Sequence, residues 1–288
     1  MTERVAGSGL YERPASLAHA LDLLGARPFR PLAGGTDLYP ATAGRTLSGD
    51  ILDLTAIEAL RQIELGPRGL RIGACASWSA IASAALPPAL AGLQQAAREV
   101  GGRQIQNAGT IGGNLCNASP AADGVPPLLT LDAAIELTSA AGQRLLPLSD
   151  FITGSRRTAL HPSELVTAIV IPRSALAGRA VFRKLGARKY LVISIASVAV
   201  RLVEREGRIA DAAIAVGACS AVARRLPEVE AALRDQPLSA AQACVSNGVV
   251  AAALAPLDDI RATADYRAGA AAELIRRGLS DLGGGADG

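Results

Sequence analysis

Apolar and polar positions alternate with two periods along this chain. From Ser16 to Gly25, Leu17, Ala20, Leu21 and Leu24 fall on one helical face, with Ser16 as N-cap and Gly25 as stop. Ser77 caps a second helix that runs to about Ala85, where Pro87-Pro88 breaks it. Pro88 to Val100 forms a third, with Leu90, Leu93, Ala97 and Val100 on one face, and Gly101-Gly102 ends it. Arg30–Ala33, Ile51–Leu54 and Leu70–Ala74 read as strands, with a turn of helix at Ile57–Leu60. Pro126–Leu131 is helical. Ala134–Ser139 and Arg144–Pro147 form a hairpin about Ala141-Gly142, and Leu148–Ile152 is a short helix or loop. Glu164–Ile171 is a strand that stops at Pro172.

The pattern pauses between Arg173 and Gly178, which places a domain boundary there. Val181–Leu185, Ile193–Val203 and Arg208–Gly217 follow as three strands, predicting an antiparallel meander. Pro227–Arg234, Ser239–Val250 and Thr263–Leu279 then read as three helices, expected to bundle. Arg276-Arg277 would complement the dipole at the end of the last helix, and Gly283 onward reads as a frayed tail. The whole is an α+β pattern. Residues 1–175 form one domain, divided at about 55 and 56, and residues 176–288 form another.

Composition narrows the chemistry. The 288 residues are 50% hydrophobic but only 3% aromatic, so the core is built from Ala, Leu, Val and Ile. A net charge of +3 without a basic run gives no footprint for nucleic acid. Met1–Gly9 has no basic start followed by an apolar run, and no stretch reaches the length of a membrane span, so a cytoplasmic location is expected. Cys75, Cys116, Cys219 and Cys244 are widely spaced and form no metal-ligand pattern; Cys116 reads as a small buried hydrophobe. His19 and His161 stand alone and read as surface residues, so neither a catalytic triad nor a His-ligated metal is within reach.

Two glycine-rich stretches remain. Ala108-Gly109-Thr110-Ile111-Gly112-Gly113-Asn114 continues through Leu115-Cys116-Asn117 to Ala118-Ser119-Pro120-Ala121-Ala122-Asp123. Its side chains are small, so the backbone can come within hydrogen-bond distance of a bulky anion, and Thr110, Asn114, Asn117 and Ser119 add short donors. It reads as a surface for a phosphate ester, or as a plain turn between two helices. Gly34-Gly35-Thr36-Asp37 follows a strand, where amides can cradle a pyrophosphate, but it also fits many ordinary loops. It is neither a Rossmann fingerprint nor a Walker loop.

These stretches, with Phe182-Arg183-Lys184-Leu185-Gly186-Ala187-Arg188 and Pro256-Leu257-Asp258-Asp259, resemble the flavin-binding medium subunit of the molybdenum hydroxylases. That family includes the carbon monoxide dehydrogenase medium subunit and the FAD domain of xanthine dehydrogenases. The resemblance implies a vanillyl-alcohol-oxidase-like (PCMH-type) two-part FAD domain and a small C-terminal domain. It implies FAD on this chain, with molybdopterin and a 2Fe–2S centre on large and small partner subunits in a dimer of heterotrimers. No catalytic residue acts on the organic substrate here. Leu32, Ala33, Gly34, Gly35, Thr36, Asp37 and Leu38 would hold the pyrophosphate, with Ala108, Thr110, Gly113 and Asn114 on its other side. Asn117, Ala118 and Asp123 would lie by the ribityl or adenosine hydroxyls. Val100 and Ile105 would line the pocket, Val166 would back the adenine or the ring, and Lys184 or Arg183 would lie by the flavin. Val100 stands where some relatives stack an aromatic residue. Two other readings stay open: a stand-alone flavin-dependent reductase of the same fold, and a scaffold without cofactor.

Overall fold

The computed structural model describes residues 3–4, 9–42 and 47–284. Most of Met1–Gly9 and the end of the expected frayed tail therefore lie outside the described residues.

The N-terminal sheet has the order β1-β2-β4-β3, with β1 (Glu3–Arg4), β2 (Leu10–Glu12), β3 (Arg30–Leu32) and β4 (Ile51–Asp53). β2 and β3 both run parallel to β4. Helix α1 (Leu17–Ala26) crosses between β2 and β3, and its N-cap Ser16 hydroxyl accepts from His19 N at 3.3 Å. Leu24, Phe29, Leu52, Leu54 and Leu60 close a core beneath this sheet. The Gly34–Leu38 loop leaves the C-terminal end of β3, the end of parallel strands where ligands gather in α/β sheets.

Next come β5 (Ile63–Gly66), β6 (Gly69–Gly73), α2 (Trp78–Ser83), α3 (Ala91–Glu99), α4 (Arg103–Ala108), α5 (Ile111–Asn117) and α6 (Val125–Thr130). β7 (Ala134–Ser139), β8 (Gly142–Pro147), α7 (Leu148–Phe151), β9 (Ile152–Gly154), β10 (Arg157–Thr158) and β11 (Leu165–Pro172) follow. A five-stranded antiparallel sheet, β5-β6-β11-β7-β8, packs against these helices. Its core includes Ile72, Trp78, Leu93, Ile111, Leu115, Leu128, Ile135 and Phe151. β5 had no strand signal of its own; it is held as the hairpin partner of β6.

The second glycine-rich stretch is not a bare loop. It folds into α4 and α5 about Gly109-Thr110, because the Thr110 hydroxyl caps α5 by accepting from Gly113 N at 3.1 Å. Gly112 is required by close approach: a Cβ there would lie 2.7 Å from both Ala74 Cβ and Ala74 O, where Gly112 N donates at 2.9 Å.

The C-terminal sheet, β12-β13-β14-β15, comprises β12 (Arg179–Leu185), β13 (Ala196–Arg205), β14 (Arg208–Gly217) and β15 (Arg224–Arg225). The expected meander thus gains a fourth, two-residue edge strand that pairs Ala215 with Arg225 and Val216 with Arg224. The helices α8 (Pro227–Leu233), α9 (Asn247–Ala253) and α10 (Ala264–Gly283) do not form a free-standing bundle. α10 lies along β12 and β13, and α8 along β14. The helix read over Ser239–Val250 breaks into a 3₁₀ segment, Leu238–Cys244, and α9, because Ser246 caps a new start by accepting from Val249 N. α10 outruns its predicted end at Leu279, so Arg276 and Arg277 are not in its last turn. Among the described residues, no helix is long and apolar enough to cross a membrane.

Candidate functional site

A cleft of about 820 Å³ runs between the Gly34–Leu38 loop, α4–α5 and the segment after β12. Its volume is within the usual range for ligand sites. The two glycine stretches, some 75 residues apart in sequence, meet at its base. A Cβ on Gly34 would overlap the Ala108 carbonyl oxygen and lie 2.9 Å from Gly109 Cα. Only glycine allows that approach.

The two walls offer different chemistry. The N–H groups of Gly34, Gly35, Thr36, Asp37 and Leu38 have no acceptor among the described residues, whereas Tyr39 N returns to Gly35 O at 3.0 Å. On the opposite wall the amides are engaged. Ile111 N donates to Ala76 O, Gly112 N to Ala74 O, Gly113 N to Thr110 Oγ1 and Asn114 N to Thr110 O. The backbone donors expected from the second stretch are therefore used by the fold, and it contributes side chains instead. Asn114 lines the cleft, but its Oδ1 is buried and has no partner among the described residues.

All the sequence-predicted site residues line this cleft except Ala108, Ala118, Val166 and Arg183, the alternative to Lys184, which pairs with Asp281 instead. The Ala108 carbonyl lies under Gly34. Ala118 is the left-handed C-cap of α5, with φ 45°. Val166 lies on β11 in the main core and does not line the cleft; that strand is buried on both faces there, with a bulge between Val166 and Ala168. Cys116, expected to be buried, is exposed on the cleft wall. His19 and His161 are both exposed.

At one end of the cleft, Lys184 Nζ lies 2.6 Å from Asp123 Oδ2, and Ser194 Oγ donates to Asp123 Oδ1 at 2.5 Å. Burial pushes the Asp123 carboxyl above its ordinary value, against the pull of Lys184 and Ser194. The sequence reading missed Ser194, which carries no local motif; only the fold brings it 71 residues back to Asp123. It also missed Trp78, Arg156 and Leu191–Ile193 as lining residues.

Backbone donors without an acceptor among the described residues and a glycine-permitted contact fit an elongated phosphate ester. Comparison with known proteins agrees. The family model for the FAD binding domain in molybdopterin dehydrogenase matches residues 4–174, and that for the CO dehydrogenase flavoprotein C-terminal domain matches residues 180–282. The chain belongs to this flavoprotein family. The nicotine 6-hydroxylase medium subunit of Paenarthrobacter nicotinovorans is 32% identical over 95% of this chain and 96% of its own length. Among solved structures, quinoline 2-oxidoreductase from Pseudomonas putida 86 aligns with a TM-score of 0.87 at 26% identity, covering 99% of each chain. Reconstituted CO dehydrogenase from Oligotropha carboxidovorans aligns with a TM-score of 0.86 at 30% identity, covering 96% of this chain and 98% of that one. As in these flavoprotein relatives, the mixed helix and strand architecture comprises an FAD-binding part and a C-terminal flavoprotein part.

Proposed function

We propose that this chain binds FAD in the cleft and serves as the electron-transfer subunit of a molybdenum hydroxylase complex. The observation that carries this reading is the run of amides from Gly34 to Leu38 with no acceptor among the described residues, on a cleft whose opposite wall carries short polar side chains. When bound, FAD accepts electrons and passes them on singly or in pairs. The chain's own residues bind and orient it. The Gly34–Leu38 amides hold the diphosphate, and Thr36 adds a hydroxyl. Asn114 and Asn117 stand along the opposite wall, where their carboxamides would reach hydroxyls of the ribityl or ribose group. Val100 and Ile105 give an apolar surface to the ring. Lys184, fixed by Asp123, supplies a cation beside it.

In this reading the fold is the PCMH-type two-part arrangement, with residues 1–175 as the FAD domain and 176–288 as the C-terminal domain. Electrons come from a 2Fe–2S subunit, a large molybdopterin subunit oxidises the substrate, and an external acceptor takes the electrons. The complex is a cytoplasmic dimer of heterotrimers. The test is spectral and chemical. Purified chain, alone or with its co-expressed partners, is expected to show flavin absorbance and to release one FAD per chain on denaturation. A Gly113→Leu variant should lose it, since the added side chain would project into the cleft past Thr110 Oγ1. Wild-type protein that takes up no FAD in either form would refute the proposal.

A further inference from the structure

Arg156 lies at the turn between β9 and β10 with φ 58°, a left-handed backbone that a residue with a Cβ rarely adopts. Three contacts hold it there. Its N–H donates to Ala118 O at 2.8 Å, and its guanidinium Nη1 donates to Asn117 O at 3.2 Å and to Asn117 Oδ1. The acceptor, Ala118, is itself left-handed. Two strained residues from distant parts of the chain thus lock together at the C-terminal end of α5, beside the cleft. Strain of this kind persists where surrounding structure fixes it, often at binding sites.

This contact has two consequences for the cleft. With its carbonyl oxygen engaged by Arg156, the Asn117 carboxamide keeps its NH₂ as the free, donating end. Arg156 also retains Nε and Nη2, which have no partner among the described residues, on a side chain that lines the cleft. The charged residues lining the cleft are Arg30, Asp37, Asp123, Arg156 and Lys184. Asp123 is already satisfied by Lys184 and Ser194, so it is not the partner of Arg156. A planar guanidinium with two free donor positions suits paired oxygens of a phosphate.

We propose that Arg156 is a positioning residue for the FAD diphosphate: one arm fixes Asn117 and the other contacts a phosphate oxygen, opposite the Gly34–Leu38 amides. The proposal rests on the FAD reading above and assigns a contact that the glycine motifs do not supply.

The experiment measures binding of FAD, ADP and adenosine to full-length chain stripped of cofactor, by calorimetry, for wild type, Arg156→Lys, Arg156→Ala and Arg156→Gly. The glycine variant removes the guanidinium while relieving the left-handed backbone, so its folding is secure. The expected result is a loss of roughly 10- to 100-fold in ADP affinity for the alanine and glycine variants, the scale of a charge-assisted hydrogen bond. The lysine variant should keep part of the affinity, and adenosine affinity should not change. The salt dependence of ADP binding should also flatten in the alanine and glycine variants. Equal weakening of ADP and adenosine would assign Arg156 a purely structural role and overturn the proposal. Unchanged ADP affinity in both neutral variants would overturn it as well, while FAD uptake by the same proteins would leave the parent reading standing. Wild-type chain that binds neither FAD nor ADP would sink both.

Discussion

Lys184 Nζ and Asp123 Oδ2 lie 2.6 Å apart, with side chains only 8% and 7% exposed, and they join β12 to the end of the second glycine stretch. This is the one buried ion pair among the described residues that closes the cleft between the N-terminal and C-terminal parts of the chain. Removing one member leaves a buried charge without its partner. Lys184→Met is expected to destabilise the chain by about 3–5 kcal/mol, and Ser194→Ala by about 1–3 kcal/mol. A Lys184→Met/Asp123→Leu double variant should recover much of the loss, since two apolar groups need no partner. Urea unfolding at fixed FAD concentration measures all three; a double variant less stable than Lys184→Met would contradict the account.

Gly34 offers a sharper test of how the two glycine stretches meet. Its hypothetical Cβ would overlap the Ala108 carbonyl, which is backbone and cannot swing aside. Gly34→Ala should therefore separate the Gly34–Leu38 loop from α4, with a larger loss of FAD than of global stability. The stability loss is expected at about 1–3 kcal/mol, the usual range for overpacking. Measuring FAD stoichiometry and the thermal midpoint on the same sample separates the two effects. Full FAD occupancy in Gly34→Ala would show that the contact does not shape the cleft.

How much of this was legible in the sequence depends on what each feature rests on. α1, α2 and α10 were legible because their caps, Ser16, Ser77 and Thr263, are local signals that the structure uses: each side chain accepts from an amide three residues on. The hairpin of β7 and β8 was legible for the same reason. β5 and β15 were not, because each exists only through its pairing partner. The site divides likewise. The Gly34–Leu38 loop and Asn114 were visible as motifs. The engagement of the α5 amides by Ala74 and Ala76 was not, because it arises from tertiary packing that the chain's local pattern does not encode. Ser194 and Arg156 reach the cleft only through long-range contacts, to Asp123 and to Asn117–Ala118. Val166 is the converse case: its position in the resemblance pointed to the cofactor, but it packs in the main core on a strand buried on both faces.

Asp259 gives a pH-dependent prediction. The backbone N–H of Arg261 is the largest influence, joined by the Arg267 and Arg261 guanidiniums and by Ala262 N, and together they hold its carboxyl at about 2. Its folded value lies below its unfolded value of about 3.9. The unfolded chain therefore binds the extra proton first, and the contribution of Asp259 is present above about pH 4 and lost as pH falls toward 2. An Asp259→Asn variant should be less stable than wild type at neutral pH, and the gap should close between about pH 4 and 2. Thermal midpoints of both proteins across that range test this; a gap that persists at pH 2 would show that the carboxylate charge is not what braces the Pro256–Ala262 loop.

The junction between α3 and β12 carries the last prediction. β12 is an edge strand, so alternate amides along its outer side lack a strand partner. At Phe182 the gap is filled by a side chain: Gln95 Oε1, from α3, accepts from Phe182 N at 2.7 Å. Phe182 packs with Ala96 and Ala199 in a small cluster of its own, so this hydrogen bond lies between the two parts of the chain beside an apolar contact. Gln95→Ala removes the acceptor and leaves a half-buried amide unsatisfied, at a cost of about 1–3 kcal/mol. Because Lys184 stands two residues along the same strand, loosening this edge should also weaken the grip on Asp123. Hydrogen exchange should therefore speed up in Gln95→Ala at the Phe182 amide and at the neighbouring Arg183 and Leu185 amides, which face β13, and FAD should dissociate faster. Acceleration at Phe182 alone, with FAD release unchanged, would show that α3 caps the strand edge without supporting the cleft.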